Sequence, residues 1–340
     1  MRAVVTGGSG FLGSHLIDIL VEKKYKTICL SRGKTDTSHL EPINVPVSTV
    51  NITDKRNVEK FIQEGDMVFH TAAILGAAKA SRQQYMKTNV NGTVNVLEAA
   101  IKKKAKIFVF PSSFAAMGPV GSPKNPMAED TPCKPDSLYG ESKLEAEKKI
   151  LEIAKDKITC IIVRPPIIYG PRANSLSAAA RLFSGMQKKT FVIVGSTKNY
   201  FSLCYVKNLA SAIVHFAETH KNGIHTYLIA DGEPVTLNDI LMLIRKAFCV
   251  NKNIVHIPAE LAYFAASCFE IAGRTFKFTP LLSRDIVKGM VESCYYYDIS
   301  KAKKAGYKPV SSLEEGINET AVWMKKLAFG NKKYSGDVVK

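Results

Sequence analysis

The chain alternates short apolar runs with longer segments whose apolar residues recur at helical spacing. Apolar, β-branched runs predict strands at residues 3–6, 27–30, 68–70, 107–111 and 159–163. Helical spacing marks the segments between several of them, at residues 13–22, 89–102 and 139–154. Since strands that alternate with crossover helices are buried on both faces, the pattern predicts an α/β fold with a Rossmann-type doubly wound parallel sheet.

The regular alternation ends after the strand predicted at residues 159–163, where several prolines and glycines follow. We therefore expect a first, Rossmann domain at residues 1–168, with residues 198–222 returning to it. A smaller C-terminal α+β domain, expected to bind the substrate, covers residues 169–197 and 223–330. The polar tail at residues 331–340 is expected to be frayed.

Composition excludes several classes of protein. A chain of 340 residues with 46% hydrophobic content can bury a sizeable core and is not disordered. The net charge is +17, but the lysines are dispersed, which indicates a solvated surface and no nucleic-acid partner. No run reaches the roughly 18 apolar residues of a membrane span.

The cysteines and histidines also carry little specific chemistry. The seven cysteines form no CxxC pair, and the seven histidines form no HxxxH-type pair near carboxylates. We therefore predict free thiols, no metal site and a cytoplasmic location.

A glycine-rich loop directly follows the first predicted strand and precedes a helix. This is the context that a dinucleotide-binding loop requires, because glycine allows a tight turn and close approach to a pyrophosphate. The helix N-terminus then offers free N–H groups and a partial positive charge to the phosphates. The residues assigned to this cofactor site are Gly7, Gly10, Phe11, Leu12 and Gly13.

The end of the second strand distinguishes the two nicotinamide cofactors. An acidic residue there binds the ribose 2′-hydroxyl of NAD, whereas an arginine accommodates the 2′-phosphate of NADP. Ser31 and Arg32 occupy this position, and no carboxylate is present. The sequence therefore favours NADP(H), with NAD(H) still possible if Arg32 is only a solvated loop charge.

Tyr139 and Lys143 lie four residues apart on one face of a predicted helix. A phenol is a weak base at neutral pH, but a nearby ammonium and a nicotinamide cation both favour the phenolate. Ser113, at the end of the preceding strand, can bind the substrate oxygen, with Ser112 as the alternative. These residues predict acid-base chemistry on a small-molecule alcohol or ketone.

Several motifs together resemble the extended short-chain dehydrogenase/reductase family, the NAD-dependent epimerase/dehydratase group. They are TGGSGFLG, HTAA, NVNGTVNVLEAA, PSS, YGESK and RPPIIYGPR, and the likeness spans nearly the whole chain. The resemblance implies that Tyr139 and Lys143 also hold the nicotinamide ribose, and that a homodimer forms through the helices near Asn89 and Tyr139. It implies further nucleotide contacts from Asn51, Ile52, Ala72, Ala73, Asn89, Pro166 and Ile168.

Departures from the family pattern narrow the expected activity. The acidic pair of the dehydratases is replaced by Phe114 and Ala115, which argues against dehydration. Ile167 and Phe201 stand where epimerases carry polar substrate-binding residues, which resembles the hydroxysteroid dehydrogenase-like and dihydroflavonol reductase-like branches. We therefore expect an oxidoreductase for a secondary alcohol or ketone. The alternatives are a nucleotide-sugar epimerase with tightly bound NAD, or a non-catalytic NADP(H)-sensing protein.

Overall fold

The computed structural model describes residues 1–33, 36–76, 78, 80–118, 121–173, 175, 177–187, 191–250, 254–276, 284, 287, 288, 291 and 294–330. The strands are β1 Arg2–Thr6, β2 Lys26–Ser31, β3 Val47–Thr49, β4 Met67–His70, β5 Ile107–Pro111, β6 Thr159–Arg164, β7 Ile167–Tyr169, β8 Phe191–Val194, β9 Tyr200–Phe201, β10 Leu203–Tyr205, β11 Ile224–Leu228, β12 Val235–Thr236 and β13 Ile254–Ile257. The tail at residues 331–340 lies outside the described residues.

The helices connect and cover these strands. They are α1 Phe11–Glu22, α2 Lys55–Glu59, α3 Arg82–Tyr85, α4 Gly92–Lys102, α5 Leu138–Ala154, α6 Ala178–Gln187, α7 Val206–Thr219, α8 Leu237–Phe248, α9 Ala259–Phe276, α10 Ser300–Lys304 and α11 Leu313–Gly330. A π-helical segment, Met86–Asn91, joins α3 to α4.

The main sheet has seven strands in the order β11-β6-β5-β4-β1-β2-β3, and all of its neighbouring strands are parallel. From β1 the chain adds β2 and then β3 on one side. It then returns to the other side of β1, where it adds β4, β5, β6 and finally β11. This is the doubly wound arrangement that the alternation of strands and helices predicts. The expected Rossmann-type α/β fold is confirmed.

Each face of this sheet has its own hydrophobic core, because side chains of one strand point alternately to the two faces. Val5, Phe69 and Val109 pack with residues of α1 and α7 on one face. On the other face, Val4 and Phe108 pack with residues of α4 and α5. The central strands β1, β4, β5 and β6 are therefore buried on both sides, which leaves their carboxyl ends for polar groups.

Although β11 and most of α7 belong to the core of the main sheet, a second hydrophobic core is formed mainly by residues beyond β6. Three two-stranded sheets lie there, namely β7 with β10, β9 with β12, and β8 with β13. Helices α6 and α8 pack into this core through Phe183, Ile240 and Ile244. Thr236 caps α8 by accepting a hydrogen bond from the backbone N–H of Asp239, whose carboxylate bonds back to Thr236.

One expected boundary is wrong. Residues 223–228 were assigned by sequence to the second domain, but β11 pairs in parallel with β6 and forms the seventh strand of the main sheet. Helix α7, within the segment expected to return to the first domain, packs against α1. The division into two domains otherwise remains a prediction.

Within the described residues, no helix is long and apolar enough to cross a membrane. The same residues contain no group of three or more histidine, cysteine, aspartate or glutamate side chains arranged to hold a metal ion.

Candidate active site

The glycine loop between β1 and α1 is built by close backbone contacts. Gly7 has φ +69°, and its N–H donates to the carbonyl of Leu30 at 2.7 Å. A Cβ on Gly7 would lie 2.7 Å from the backbone nitrogen of Ala72, and one on Gly13 would lie 2.3 Å from the carbonyl oxygen of Gly7. Both positions therefore require glycine for this turn to fit beneath a ligand.

Helix α1 begins without a side-chain cap. Its N-cap is Gly10, which has no side chain to cap the N–H groups of the first turn, and that turn holds no acidic residue. The helix N-terminus, which carries Phe11, Leu12 and Gly13, therefore keeps its partial positive charge available to an anion.

The end of β2 lies next to this loop. The hydroxyl of Ser31, which is buried, is 2.9 Å from the hydroxyl of Ser9 in the glycine loop. Arg32 is exposed just beyond the strand, so its guanidinium is free to reach a ligand in solvent contact. The structure thus brings Ser31 and the loop together at the position where the sequence predicts the 2′-substituent of the ribose.

Asn51 and Ile52 follow β3 but differ in exposure. Asn51 is exposed, and its side-chain oxygen accepts hydrogen bonds from Thr53. Ile52 is buried in the core, and its carbonyl accepts from Asn95.

Ala72 and Ala73 follow β4 in a loop that packs against the glycine loop. Both are half-buried, and the N–H of Ala72 lies 3.4 Å from the hydroxyl of Thr6. The same loop passes Tyr139, because a Cβ on Gly76 would lie 3.2 Å from the tyrosine ring.

Asn89, which the sequence predicts to contact the nucleotide, bonds to the loop that follows β4. Its side chain is 1% exposed, its oxygen accepts from the N–H of Ile74 at 2.8 Å, and its nitrogen donates to the carbonyl of Ile74 and to Ser142. The Asn89 amide nitrogen therefore donates two hydrogen bonds within the protein.

Ser113 and Tyr139 come together at the carboxyl end of β5. Ser113 starts the turn that follows the strand, and Ser137 places Tyr139 in the first turn of α5 by capping the N–H of Gly140. Burial raises the pKa of Tyr139 to about 12, and the nearby Ser113 side chain partly offsets this effect. Tyr139 is therefore a phenol at neutral pH in this state.

Lys143 lies one turn further along α5 and is buried. Its ammonium donates to the carbonyl of Pro111 at 2.6 Å and lies 4.0 Å from the centre of the Phe110 ring. Burial lowers the pKa of Lys143 to about 7, while the carboxylate of Glu147 opposes the shift. The amine is thus able to lose its proton near neutral pH.

Pro166 and Ile168 lie beyond β6, on the side of the sheet edge where the second core begins. Pro166 is buried, and Ile168 is half-buried in β7, opposite Cys204 of β10. Ser112, the alternative to Ser113, has a buried hydroxyl without a hydrogen-bond partner among the described residues.

Sequence reasoning missed two buried polar groups beneath this site. Glu147 forms an ion pair with Arg164 at 2.7 Å, and both side chains are under 10% exposed. His70 was expected only to end a strand, but its two ring nitrogens each lie within hydrogen-bond distance of a threonine hydroxyl. Glu147 lies four residues after Lys143 on the same helix, a spacing that could have revealed it.

The comparison with known proteins agrees with this geometry. A sequence profile described as the NAD dependent epimerase/dehydratase family matches residues 3–230, which is more than half of the chain. The chain belongs to this family. Its fold, its glycine loop and its relatives make it an enzyme of the extended short-chain dehydrogenase/reductase type, and a non-catalytic sensor is set aside.

The relatives differ in what they do. UDP-N-acetyl-alpha-D-glucosaminuronate decarboxylase of Bacillus cytotoxicus is 27% identical, with 96% of this chain and 98% of the relative covered. Sterol-4-alpha-carboxylate 3-dehydrogenase, decarboxylating, of Dictyostelium discoideum is also 27% identical, over 93% and 98%. The structure of UDP-glucose 4-epimerase from Thermotoga maritima is 26% identical with a TM-score of 0.78, over 96% and 100%.

Proposed function

We propose that this enzyme is an NADP(H)-preferring oxidoreductase that interconverts a secondary alcohol and a ketone, with Tyr139 as the acid and base. The observation that carries the proposal is the proximity of the Ser113 side chain to the Tyr139 phenol, with the buried Lys143 one helical turn further along α5. A hydroxyl donor next to a protonated phenol can hold a carbonyl oxygen and supply its proton.

The residues at the glycine loop fit a dinucleotide. The uncapped N-terminus of α1 offers N–H groups to a pyrophosphate, and the absence of a Cβ on Gly7 allows the glycine loop to approach Ala72 closely. The nicotinamide, when bound, supplies or accepts the hydride. Gly10, Phe11 and Leu12 would bind the pyrophosphate of the dinucleotide, and Tyr139 and Lys143 would hold the nicotinamide ribose.

The preference for NADP(H) rests on Arg32. It is exposed at the end of β2, where the chain has no carboxylate to bind a ribose 2′-hydroxyl. A guanidinium can form two charge-assisted hydrogen bonds with a phosphate, and Ser31 can add a third.

The direction of the reaction determines the role of Tyr139 in proton transfer. In reduction, the Tyr139 phenol, whose pKa is raised to about 12, gives its proton to the oxygen that Ser113 holds. In oxidation, Tyr139 must first lose its proton, and the positive charge of Lys143 favours the resulting phenolate.

The test is the replacement Tyr139→Phe, assayed by NADPH absorbance with a panel of ketones. Turnover should fall about 10²- to 10⁴-fold because the proton donor is lost, while NADPH affinity stays nearly unchanged. Tyr85→Phe is the matched control, since Tyr85 is the neighbouring tyrosine and bonds only to loop carbonyls in the described structure. An active Tyr139→Phe enzyme would refute the proposal.

A nucleotide-sugar epimerase is the second candidate, because relatives include UDP-glucose 4-epimerase of Vibrio cholerae, which is 28% identical. An epimerase regenerates its cofactor in every cycle and has reason to retain it. Mass spectrometry of the nucleotide released on denaturation separates the two. Near-stoichiometric NAD⁺ would favour the epimerase, and an empty or partly NADP(H)-filled site would favour the oxidoreductase.

We further propose a homodimer through the outer faces of α4 and α5, with the substrate bound mainly by the chain beyond β6. Leu151 on α5 is 50% exposed, which leaves apolar surface for a second copy. Light scattering after gel filtration tests the assembly, and Leu151→Glu should produce monomers.

A further inference from the structure

A chain of hydrogen bonds runs beneath the active site, and His70 lies at its centre. His70 ends β4 and is 1% exposed. Its Nδ1 is 2.7 Å from the hydroxyl of Thr6, the last residue of β1 before the glycine loop. Its Nε2 is 3.0 Å from the hydroxyl of Thr93 on α4. The imidazole therefore bridges two elements that approach the site from opposite sides.

The neighbouring hydrogen bonds fix where the ring proton lies. The Thr93 hydroxyl donates its proton to the carbonyl of Asn89 at 2.6 Å, so it must accept from His70. Nε2 therefore carries the proton, and Nδ1 accepts from the Thr6 hydroxyl. The oxygen of Thr6 then remains an acceptor for the N–H of Ala72.

The same chain continues from Asn89 to the start of α5. The side-chain nitrogen of Asn89 donates to the hydroxyl of Ser142 at 3.0 Å, and that hydroxyl donates to the carbonyl of Tyr139 at 2.7 Å. Ser142 is fully buried. The glycine loop and the residue proposed as acid and base are thus joined through consecutive buried hydrogen bonds.

The surroundings of the ring keep it uncharged. The ring of His70 stacks on the rings of Phe108 and Phe110 in β5, with ring centres 5.9 and 6.1 Å apart. The ammonium of Lys143 lies over the Phe110 ring. Burial, with a smaller effect of the Lys143 charge, lowers the pKa of His70 to about 3. Because a protonated ring would donate from both nitrogens, it could not accept from Thr6.

We propose that His70 is a positioning residue, whose ring joins the glycine loop to the start of α5 and so fixes Tyr139 relative to the bound nicotinamide. His70 touches neither substrate nor cofactor in this role. Near-attack geometry is sensitive to shifts of about 1 Å, and such shifts cost roughly a hundredfold in rate. A rigid buried chain is a means of holding that geometry.

The first test needs no substrate. Nitrogen NMR of histidine rings, with the His70 signal assigned by its loss in His70→Phe, reports the proton position in the protein without cofactor. We expect the Nε2–H neutral form at every pH from about 8 to 5. A neutral ring with its proton on Nδ1 would overturn the proposal. So would a titration of the ring with a midpoint near the ordinary histidine pKa of about 6.5.

The second test measures positioning, and its kinetic part rests on the proposed function. His70→Phe keeps the stacked ring but removes both hydrogen bonds, and Ser142→Ala removes the last link. Each should lower kcat about ten- to a hundredfold with KM and NADPH affinity nearly unchanged. Thr93→Val serves the same purpose if His70→Phe does not fold. His215→Phe, which loses a bond to Ala305 far from the site, is the control and should keep full turnover.

The double variant separates a connected chain from two independent defects. His70 and Ser142 are not bonded to each other, so independent effects on kcat would multiply. We expect the double variant to be no slower than the slower single variant, because either break already releases α5. Multiplying effects, or a loss confined to KM, would overturn the proposal. An active Tyr139→Phe enzyme would refute the proposed function but leave the NMR result unaffected.

Discussion

Replacement of Gly7 by alanine tests whether the glycine loop is shaped by backbone contact. At Gly7 an added Cβ would lie 2.7 Å from the nitrogen and 2.8 Å from the Cα of Ala72, which are backbone atoms and cannot rotate away. The backbone also has φ +69°. The change therefore combines a strained conformation with a steric clash.

The two contributions can be estimated separately. An alanine in the left-handed region costs about 1–2 kcal/mol, and overpacking against fixed atoms adds about 1–3 kcal/mol. Gly7→Ala should therefore lower the free energy of unfolding by about 2–5 kcal/mol. Gly65→Ala provides the conformational cost alone, because Gly65 has φ +78° and an added Cβ would meet no described atom within 4 Å.

Urea unfolding of both variants, with NADPH affinity by fluorescence, measures the difference. Gly7→Ala should be clearly less stable than Gly65→Ala and should bind NADPH weakly, because Ala72 and the loop must move apart. Gly65→Ala should keep wild-type affinity. Equal losses of stability with unchanged NADPH binding in both would show that the contact of Gly7 with Ala72 does not shape the site.

Three further predictions follow from charged groups. Arg32→Ala should weaken NADPH binding about tenfold and leave NADH binding unchanged, and equal effects on the two cofactors would contradict the role of Arg32. Glu147→Gln leaves the buried Arg164 guanidinium without a counter-charge, so urea unfolding should show a free energy of unfolding lower by about 3–5 kcal/mol. The control Glu98→Gln, which breaks the exposed pair with Lys55, should lower it much less. The pKa of His70 is lower in the folded protein than in the unfolded chain. The neutral ring therefore contributes fully to stability above pH about 6.5, and this contribution is lost as the pH falls towards 3. Relative to His70→Phe, the wild type should lose about 1.4 kcal/mol of unfolding free energy per pH unit below 6.5.

The main sheet and the glycine loop were predictable because local patterns determine them. Runs of apolar residues, the loop after β1 and the four-residue spacing from Tyr139 to Lys143 all act within short stretches of chain. The pairing of β11 with β6 was not predictable in this way, because it joins segments more than sixty residues apart. A short strand with the sequence IHTYL carries no local sign of which sheet it completes.

Side-chain contacts were less predictable than strands. The sequence placed Lys143 beside Tyr139, and the structure shows its ammonium bonded to the carbonyl of Pro111. Asn89 was expected to contact the nucleotide, but its amide is used within the protein. Helical spacing in α9 likewise identifies residues on one face, but not that Phe264 is 71% exposed. The hydrogen bonds and the exposure of a side chain depend on the residues that the complete fold brings next to it, and these residues are distant in sequence.

The edge of the parallel sheet explains why structural and chemical roles overlap in these residues. The carbonyls of Thr6 and Pro111 end β1 and β5 and need partners, which Thr71 and Lys143 provide. Removing Lys143 would therefore leave a buried carbonyl unpaired as well as remove a charge, and lost turnover in such a variant would not separate the two. Tyr139 differs, because its phenol lies near the side chain of Ser113 and bonds to no strand carbonyl in the described part of the chain. Tyr139→Phe therefore gives the more direct test of chemistry, and variants of Lys143 are informative only alongside a measurement of stability.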